Sequence, residues 1–389
     1  MRRNLRRQTR AHGFSLVEAL VALLLLVGVL ASFLVGLNRL QRTVTIQADL
    51  ASAAEDLRHT AGSITRMLRM VGCGGLPLAV PDTVGNLRPL AVDVVDNVAA
   101  VNGFVSSLSG ESWRFTSGRR AAPGTDVLRI RGVMTSPSYD IAAGDFISPG
   151  RVLVSETSPW TGDSQTLSPP SSTADRPFLF ALRSPLDLVA AHGGRRSYGQ
   201  YRVVRVEGDV EVLNGPAGRV MQVGYDDSPA GVYAFLNPAD RLELDRQDVV
   251  SGGFLDDLVF FVATNNYEKP SLYRLRVKRP GGRVRAEEMV PNVCNLQVAF
   301  GCDVNGDGEV GPSEWFLSAQ NPQSPPVGAL ATLVQLRLSL VSRTQSPDRG
   351  WVAHPAPLEN APDLAPGEPH YRYRTTTVRI NVRSHPAVR

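Results

Sequence analysis

Gly13-Phe14-Ser15-Leu16-Val17-Glu18 opens the stretch whose reading decides the fold. From Phe14 to Leu37 the chain runs 24 residues with one charge, Glu18, and no proline. As a helix at about 1.5 Å per residue this run reaches roughly 36 Å, enough to cross a bilayer core. Ahead of it stand Arg2, Arg3, Arg6, Arg7 and Arg10 with no acid. That asymmetry holds the arm in the cytoplasm and sends the remainder outward. An ordinary signal peptide has a shorter apolar core followed by a small-residue cleavage site. Here the small residue, Gly13, precedes the apolar run, and a carboxylate sits five residues beyond it. A carboxylate in lipid is costly, so Glu18 needs a partner or a function.

The basic arm, the glycine and the Phe-Ser-Leu-Val-Glu order resemble the class III signal of type IV prepilins. The resemblance implies that a prepilin peptidase cuts between Gly13 and Phe14 and that the new amine of Phe14 is N-methylated. It also implies that Glu18 faces the N-terminus of a neighbouring subunit during filament assembly. Residues 1–13 are then a cleaved leader.

Composition narrows the classes of partner. Of 41 basic residues, five arginines lie in the leader, which leaves 36 against 37 acids in the remainder. So even a balance predicts no nucleic-acid partner. The 35 glycines and 28 prolines suit a loop-rich β structure better than a bundle. Six scattered histidines, with no phosphate loop and no nucleophile elbow, give an enzyme no foothold.

Apolar periodicity continues past the first run. Leu50, Leu57, Ile64 and Val71 recur every seven residues, with Ala53, Ala54, Ala61 and Leu68 on the same face. One helix over 14–71 is expected, with 14–37 transmembrane and the second half laid on a folded domain. Strand signals then accumulate at 112–115, 126–132, 151–155, 201–206, 210–213, 255–264, 271–277, 295–300, 333–341 and 371–382. Glu207-Gly208-Asp209 reads as a hairpin turn, and 156–178 and 344–370 read as loops. The expected organisation is α+β and pilin-like: a long N-terminal helix packed on a β-rich globular domain, with 72–250 and 251–389 as two β-rich regions.

Asp303-Val304-Asn305-Gly306-Asp307-Gly308-Glu309-Val310-Gly311-Pro312-Ser313-Glu314 fits the twelve-residue calcium-loop pattern. Asp303, Asn305 and Asp307 offer side-chain oxygens at positions one, three and five, and Glu309 offers its carbonyl at seven. Glu314 supplies two carboxylate oxygens at twelve. Hard oxygen donors without thiolate or imidazole select Ca²⁺. The same glycines satisfy G-x-G-x-x-G, but surrounding carboxylates would repel a pyrophosphate and no βαβ unit follows.

Three cysteines permit one disulfide among Cys73, Cys294 and Cys302. A continuous strand between the last two holds them roughly 26 Å apart, too far to bridge. Cys73 is then the partner of one, with Cys294 favoured and the choice open.

Val290-Pro-Asn-Val293, Asn295-Leu-Gln-Val298, Phe300-Gly301 and Asp303 to Gly308 resemble the C-terminal signature of PilW-type minor pilins. Ser271 to Arg274 and Arg372 to Val378 add to the likeness. It covers the first 75 or so residues and much of 255–382, and leaves 76–250 unmatched. It implies a minor pilin acting in type IV pilus assembly or priming. Its partners would be other minor and major pilins, in the inner membrane with a periplasmic domain and then at the cell surface. Two rivals are a type II secretion pseudopilin and a pilus-tip adhesin or DNA-uptake receptor.

Overall fold

The apolar run and the amphipathic stretch behind it form one unbroken helix, α1, Leu16–Leu68, which passes through Gly28 and Gly36. The computed structural model describes residues 15–81, 87–98, 103–105, 112–114, 121–135, 138–141, 150–155, 176–182, 201–215, 218–226, 249–277, 286–326, 329–348, 350–352, 358–361 and 370–382. Gly13, Phe14 and the leader lie outside them. The helix ends three residues earlier than the periodicity predicts. Val71 N–H bonds back three residues to Leu68 O (3.2 Å), and Gly72 N–H leaves the helix for Arg131 O (3.1 Å).

The chain divides into two units, Met1–Ser52 and Ala53–Arg389. In the first, Leu20, Leu24, Leu30, Phe33 and Leu34 are all exposed. In the second, Leu57, Ala61, Ile64 and Leu68 are buried in the main apolar core with residues as distant as Ile380 and Val382. Full burial of a leucine or isoleucine contributes about 1.5–3 kcal/mol, so this face, rather than helix propensity, fixes α1 in the second unit.

The described strands of the second unit fall into five antiparallel sheets. Two are small pairs: β1 (Ala79–Pro81) with β2 (Leu87–Pro89), and β4 (Gly103–Val105) with β5 (Ser112–Arg114). A five-stranded sheet joins β3 (Val92–Val95), β6 (Val127–Gly132), β14 (Asp256–Thr264), β15 (Pro270–Arg276) and β16 (Ala286–Pro291) in the order β16-β15-β14-β6-β3. A seven-stranded sheet holds β7 (Tyr139–Asp140), β8 (Arg151–Ser155), β9 (Pro177–Leu182), β10 (Tyr201–Val206), β11 (Glu211–Gly215), β12 (Gly218–Asp226) and β13 (Val249–Phe254). The last sheet runs β18-β17-β19-β20, from β17 (Val293–Cys302), β18 (Trp315–Phe316), β19 (Leu333–Arg343) and β20 (Tyr373–Asn381).

Pairing joins what sequence reading separates. β6 lies beside β14 and β9 beside β13, so strands from either side of residue 250 share sheets. The hairpin expected at Glu207 to Asp209 is absent. β10 and β11 instead continue along one partner: Val206 pairs with Tyr225 and Glu211 with Gln222 of β12. Glu207 N–H bonds Gly224 O between them (2.8 Å), so the polar triplet bulges out of a continuing edge. The reversal falls after Gly215. The loop expected over 156–178 also ends early, because β9 starts at Pro177, with Phe178, Leu179 and Phe180 buried.

Two buried polar clusters stand out, one within the five-stranded sheet and one joining it to β17. Arg129 on β6 donates through Nε to Asp257 Oδ1 (2.7 Å), and Arg131 donates to Asp257 Oδ2 (3.2 Å) and Leu90 O (2.8 Å). Burial alone would raise the Asp257 carboxyl, but the two guanidiniums outweigh it and hold the group below its usual range. Asp126 instead sits beside Asp96 and accepts from Asn97 N (2.9 Å) and Val298 N (2.7 Å). Burial, reinforced by the Asp96 charge, pushes its carboxyl well above the usual range.

Candidate functional site

The loop Asp303–Glu314 is a hairpin connection. β17 enters it and β18 leaves it, with Phe300 opposite Phe316 and Gly301 opposite Trp315. The exit is a 3-10 turn, Pro312–Glu314, and Asp303 N–H ties the entrance to Thr332 O (2.9 Å). Both ends are therefore pinned to one strand pair, without the two helices of an EF-hand.

Inside the loop the side-chain oxygens curl the backbone. Asp303 accepts from Gly306 N (2.7 Å) and Gly308 N (3.0 Å), Asn305 from Asp307 N (2.9 Å), and Asp307 from Glu309 N (2.8 Å). Gly306 and Gly308 take φ of +79° and +88°, which a side chain would strain. Glu314 closes the ring. Its Oε1 accepts from Val304 N (3.0 Å) and Asn305 N (3.1 Å), and its Oε2 from Gly311 N (2.8 Å). Glu314 is 7% exposed, whereas residues 304–309 are exposed.

Among the described residues no group of three or more His, Cys, Asp or Glu is gathered closely enough to hold a metal ion. Here Asp303, Asp307 and Glu314 are turned onto N–H donors. The donor set still fits calcium chemistry: both Asp303 oxygens, Asp307 Oδ1 and Glu314 Oε2 each accept one amide and keep a lone pair, whereas Glu314 Oε1 would have to give up one of its two amides to ligate. The side chain of Glu309 is exposed, and its position-seven carbonyl is the atom the loop pattern uses.

Behind the loop lies a contact that spacing does not reveal. The Trp315 ring, 5% exposed, has the Arg337 guanidinium 4.4 Å from its centroid and that of Arg379 at 5.6 Å. Gly301 makes room for it: a Cβ there would lie 3.2 Å from the indole and 3.0 Å from Val310. Arg337 also grips Glu359 through two bonds of 2.7 and 2.6 Å. The loop exit is thereby linked across the sheet to β19 and β20. Nothing before folding says that Arg337, Glu359 and Arg379 meet around Trp315, because the three lie on separate segments of the chain.

The cysteines are placed apart. Cys294 and Cys302 sit near opposite ends of the continuous strand β17, Cys73 follows α1, and no disulfide joins the three. The Cys73 pairing expected from sequence is thus not made here. Burial pushes both Cys294 and Cys302 thiols up to about 12, and the Glu314 charge adds to the second. At the other end of the chain Glu18 lies in the first turn of α1, where its Oε2 accepts from Ser15 N (3.4 Å).

The features define a class: a β-rich unit whose chain also carries one helix long and apolar enough to cross a membrane. Residues 259–384 match the family model described as Type IV Pilus-assembly protein W, about a third of the chain. The match supports a type IV pilus-related protein. No curated protein and no solved structure matches the chain.

Proposed function

We propose that this chain is a minor pilin of the PilW type, a structural and interaction subunit in type IV pilus assembly or priming rather than a catalyst. The observation that carries the proposal is the family match over 259–384, which takes in most of β14 and all of β15 to β20. The N-terminal end is in keeping with it, because the exposed apolar stretch of α1 needs lipid or neighbouring helices to cover it. In this reading the inner membrane first holds α1, a prepilin peptidase cuts between Gly13 and Phe14, and Phe14 is methylated. Glu18 then pairs with the amine of a neighbouring pilin, an attraction that low dielectric strengthens. Calcium, in the same reading, is held by Asp303, Asn305, Asp307, the Glu309 carbonyl and Glu314. It supplies positive charge that offsets the loop's carboxylates and stiffens the β17–β18 connection.

The test is incorporation. Cells expressing Gly13→Val should retain full-length protein in the inner membrane, while Glu18→Ala should be cut yet depleted from sheared pili. An intact leader on wild-type protein from pilus fractions, or normal incorporation of Glu18→Ala, would remove the reading.

A further inference from the structure

Strand β20 closes the four-stranded sheet, and among the described residues no strand pairs with its far edge. It pairs with β19 over nine successive positions, Tyr373↔Arg343 to Asn381↔Gln335, without a register shift. At about 3.3 Å per residue that edge is roughly 30 Å long. Protein edges are ordinarily guarded by shortness, a bulge, a proline or charged side chains. This one is long and has neither bulge nor proline, its charges are all arginines, and its centre is Thr375-Thr376-Thr377, residues that favour extended backbone.

The hydrogen-bond phase of the edge follows from its two ends. Val382 N–H bonds Val334 O (2.9 Å), and Thr344 N–H bonds Arg372 O (2.9 Å). Residues 372 and 382 therefore face β19. With no bulge between them, 374, 376, 378 and 380 do so too. The N–H and C=O groups of Thr375, Thr377, Arg379 and Asn381 point the other way, at an edge that no described strand covers.

The charge on this segment is one-sided. Residues 370–389 contain five arginines and no aspartate or glutamate. Arg372 is engaged with Asp348 (2.9 Å) and Arg379 lies over Trp315, whereas the exposed Arg374 stands near the start of the edge. We propose that the open edge of β20 takes an acidic, extended segment of a partner subunit by strand addition. Backbone groups of residues 375–381 would supply the affinity, and Arg374 the preference for acid. The occupant's being a subunit rests on the pilus-assembly reading; the edge and its charge preference do not.

The experiment uses the full chain in detergent micelles with a nine-residue peptide alternating valine and glutamate, and a counterpart with lysine for glutamate. Amide exchange is read residue by residue. The acidic peptide should slow exchange at 375, 377 and 379 by at least tenfold and leave 374, 376 and 378 unchanged, and the lysine peptide should do neither. Thr375→Pro removes one outward donor and no ladder bond, so the chain should fold with an unchanged melting temperature yet lose the protection. Arg374→Glu should reverse the preference toward the lysine peptide. Equal response to both peptides overturns the charge argument. Outward amides already as protected as inward ones in the free chain overturn the open edge. Concentration-dependent protection by the chain itself assigns the edge to a second copy and overturns the partner. Each of these outcomes leaves the Glu18→Ala incorporation result untouched, so the two readings fail separately.

Discussion

Glu314 offers the sharpest test of the loop, because its carboxylate works with or without a cation. It accepts three backbone N–H groups, of Val304, Asn305 and Gly311. A hydrogen bond to a charged group contributes about 1.5–3 kcal/mol net when water is excluded, and less where water can replace it. Val304 and Asn305 are exposed and Gly311 is half-buried. Taking about 1.5 kcal/mol for Gly311 and about 0.5–1 for each of the others, Glu314→Ala should cost about 3 kcal/mol in EDTA. Calcium adds a separate increment. With a Kd of about 10⁻⁴ to 10⁻³ M, 10 mM Ca²⁺ stabilises the wild type by about 1.4–2.7 kcal/mol. The variant should gain nothing. Chemical unfolding of both proteins, each in EDTA and in 10 mM Ca²⁺ with Mg²⁺ as control, separates the two effects. A wild type equally stable in EDTA and Ca²⁺ would leave the loop as a turn held by its own amides. An alanine variant that still gains the full increment would move the cation elsewhere.

Asp257→Asn should destabilise by about 3–5 kcal/mol, since two buried guanidiniums lose their counter-charge, measured by urea unfolding. The lowered Asp257 carboxyl makes its contribution complete above the ordinary carboxyl range and lost as pH falls through its folded value, which a pH series of the same unfolding checks. Asp126 acts with the opposite sign: its raised carboxyl gives stability that is present below the ordinary range and lost as pH rises through the folded value. Asp126→Asn should flatten that limb of the profile. Iodoacetamide at pH 8 should leave Cys294 and Cys302 unmodified in the folded chain and label all three cysteines after denaturation without reductant, read by peptide mass. A bridged peptide from native protein would contradict it.

Much of the architecture is legible where one local rule suffices. The seven-residue recurrence from Leu50 to Val71 marks the buried face of α1, and β-rich runs between turn residues mark β14, β15, β17, β19 and β20 within a few residues. Legibility fails where partners decide. Glu207-Gly208-Asp209 has turn chemistry, yet β12 extends far enough to pair on both sides of it, so the backbone bulges instead of reversing. In the loop, spacing picks out the candidate oxygen donors but not the three amides that hold Glu314.

The sequence by itself determined the long apolar helix, the β-rich remainder and the oxygen-rich loop, because each rests on contacts between residues near in the chain. Only the tertiary structure decided the rest. Strands on both sides of residue 250 share sheets, Asp257 sits between Arg129 and Arg131, Trp315 lies under Arg337 and Arg379, and no described strand pairs with the far edge of β20. Those outcomes depend on which distant strand wins an edge and which charges are desolvated together. That competition is settled by the burial of the whole core, and no window of sequence contains it.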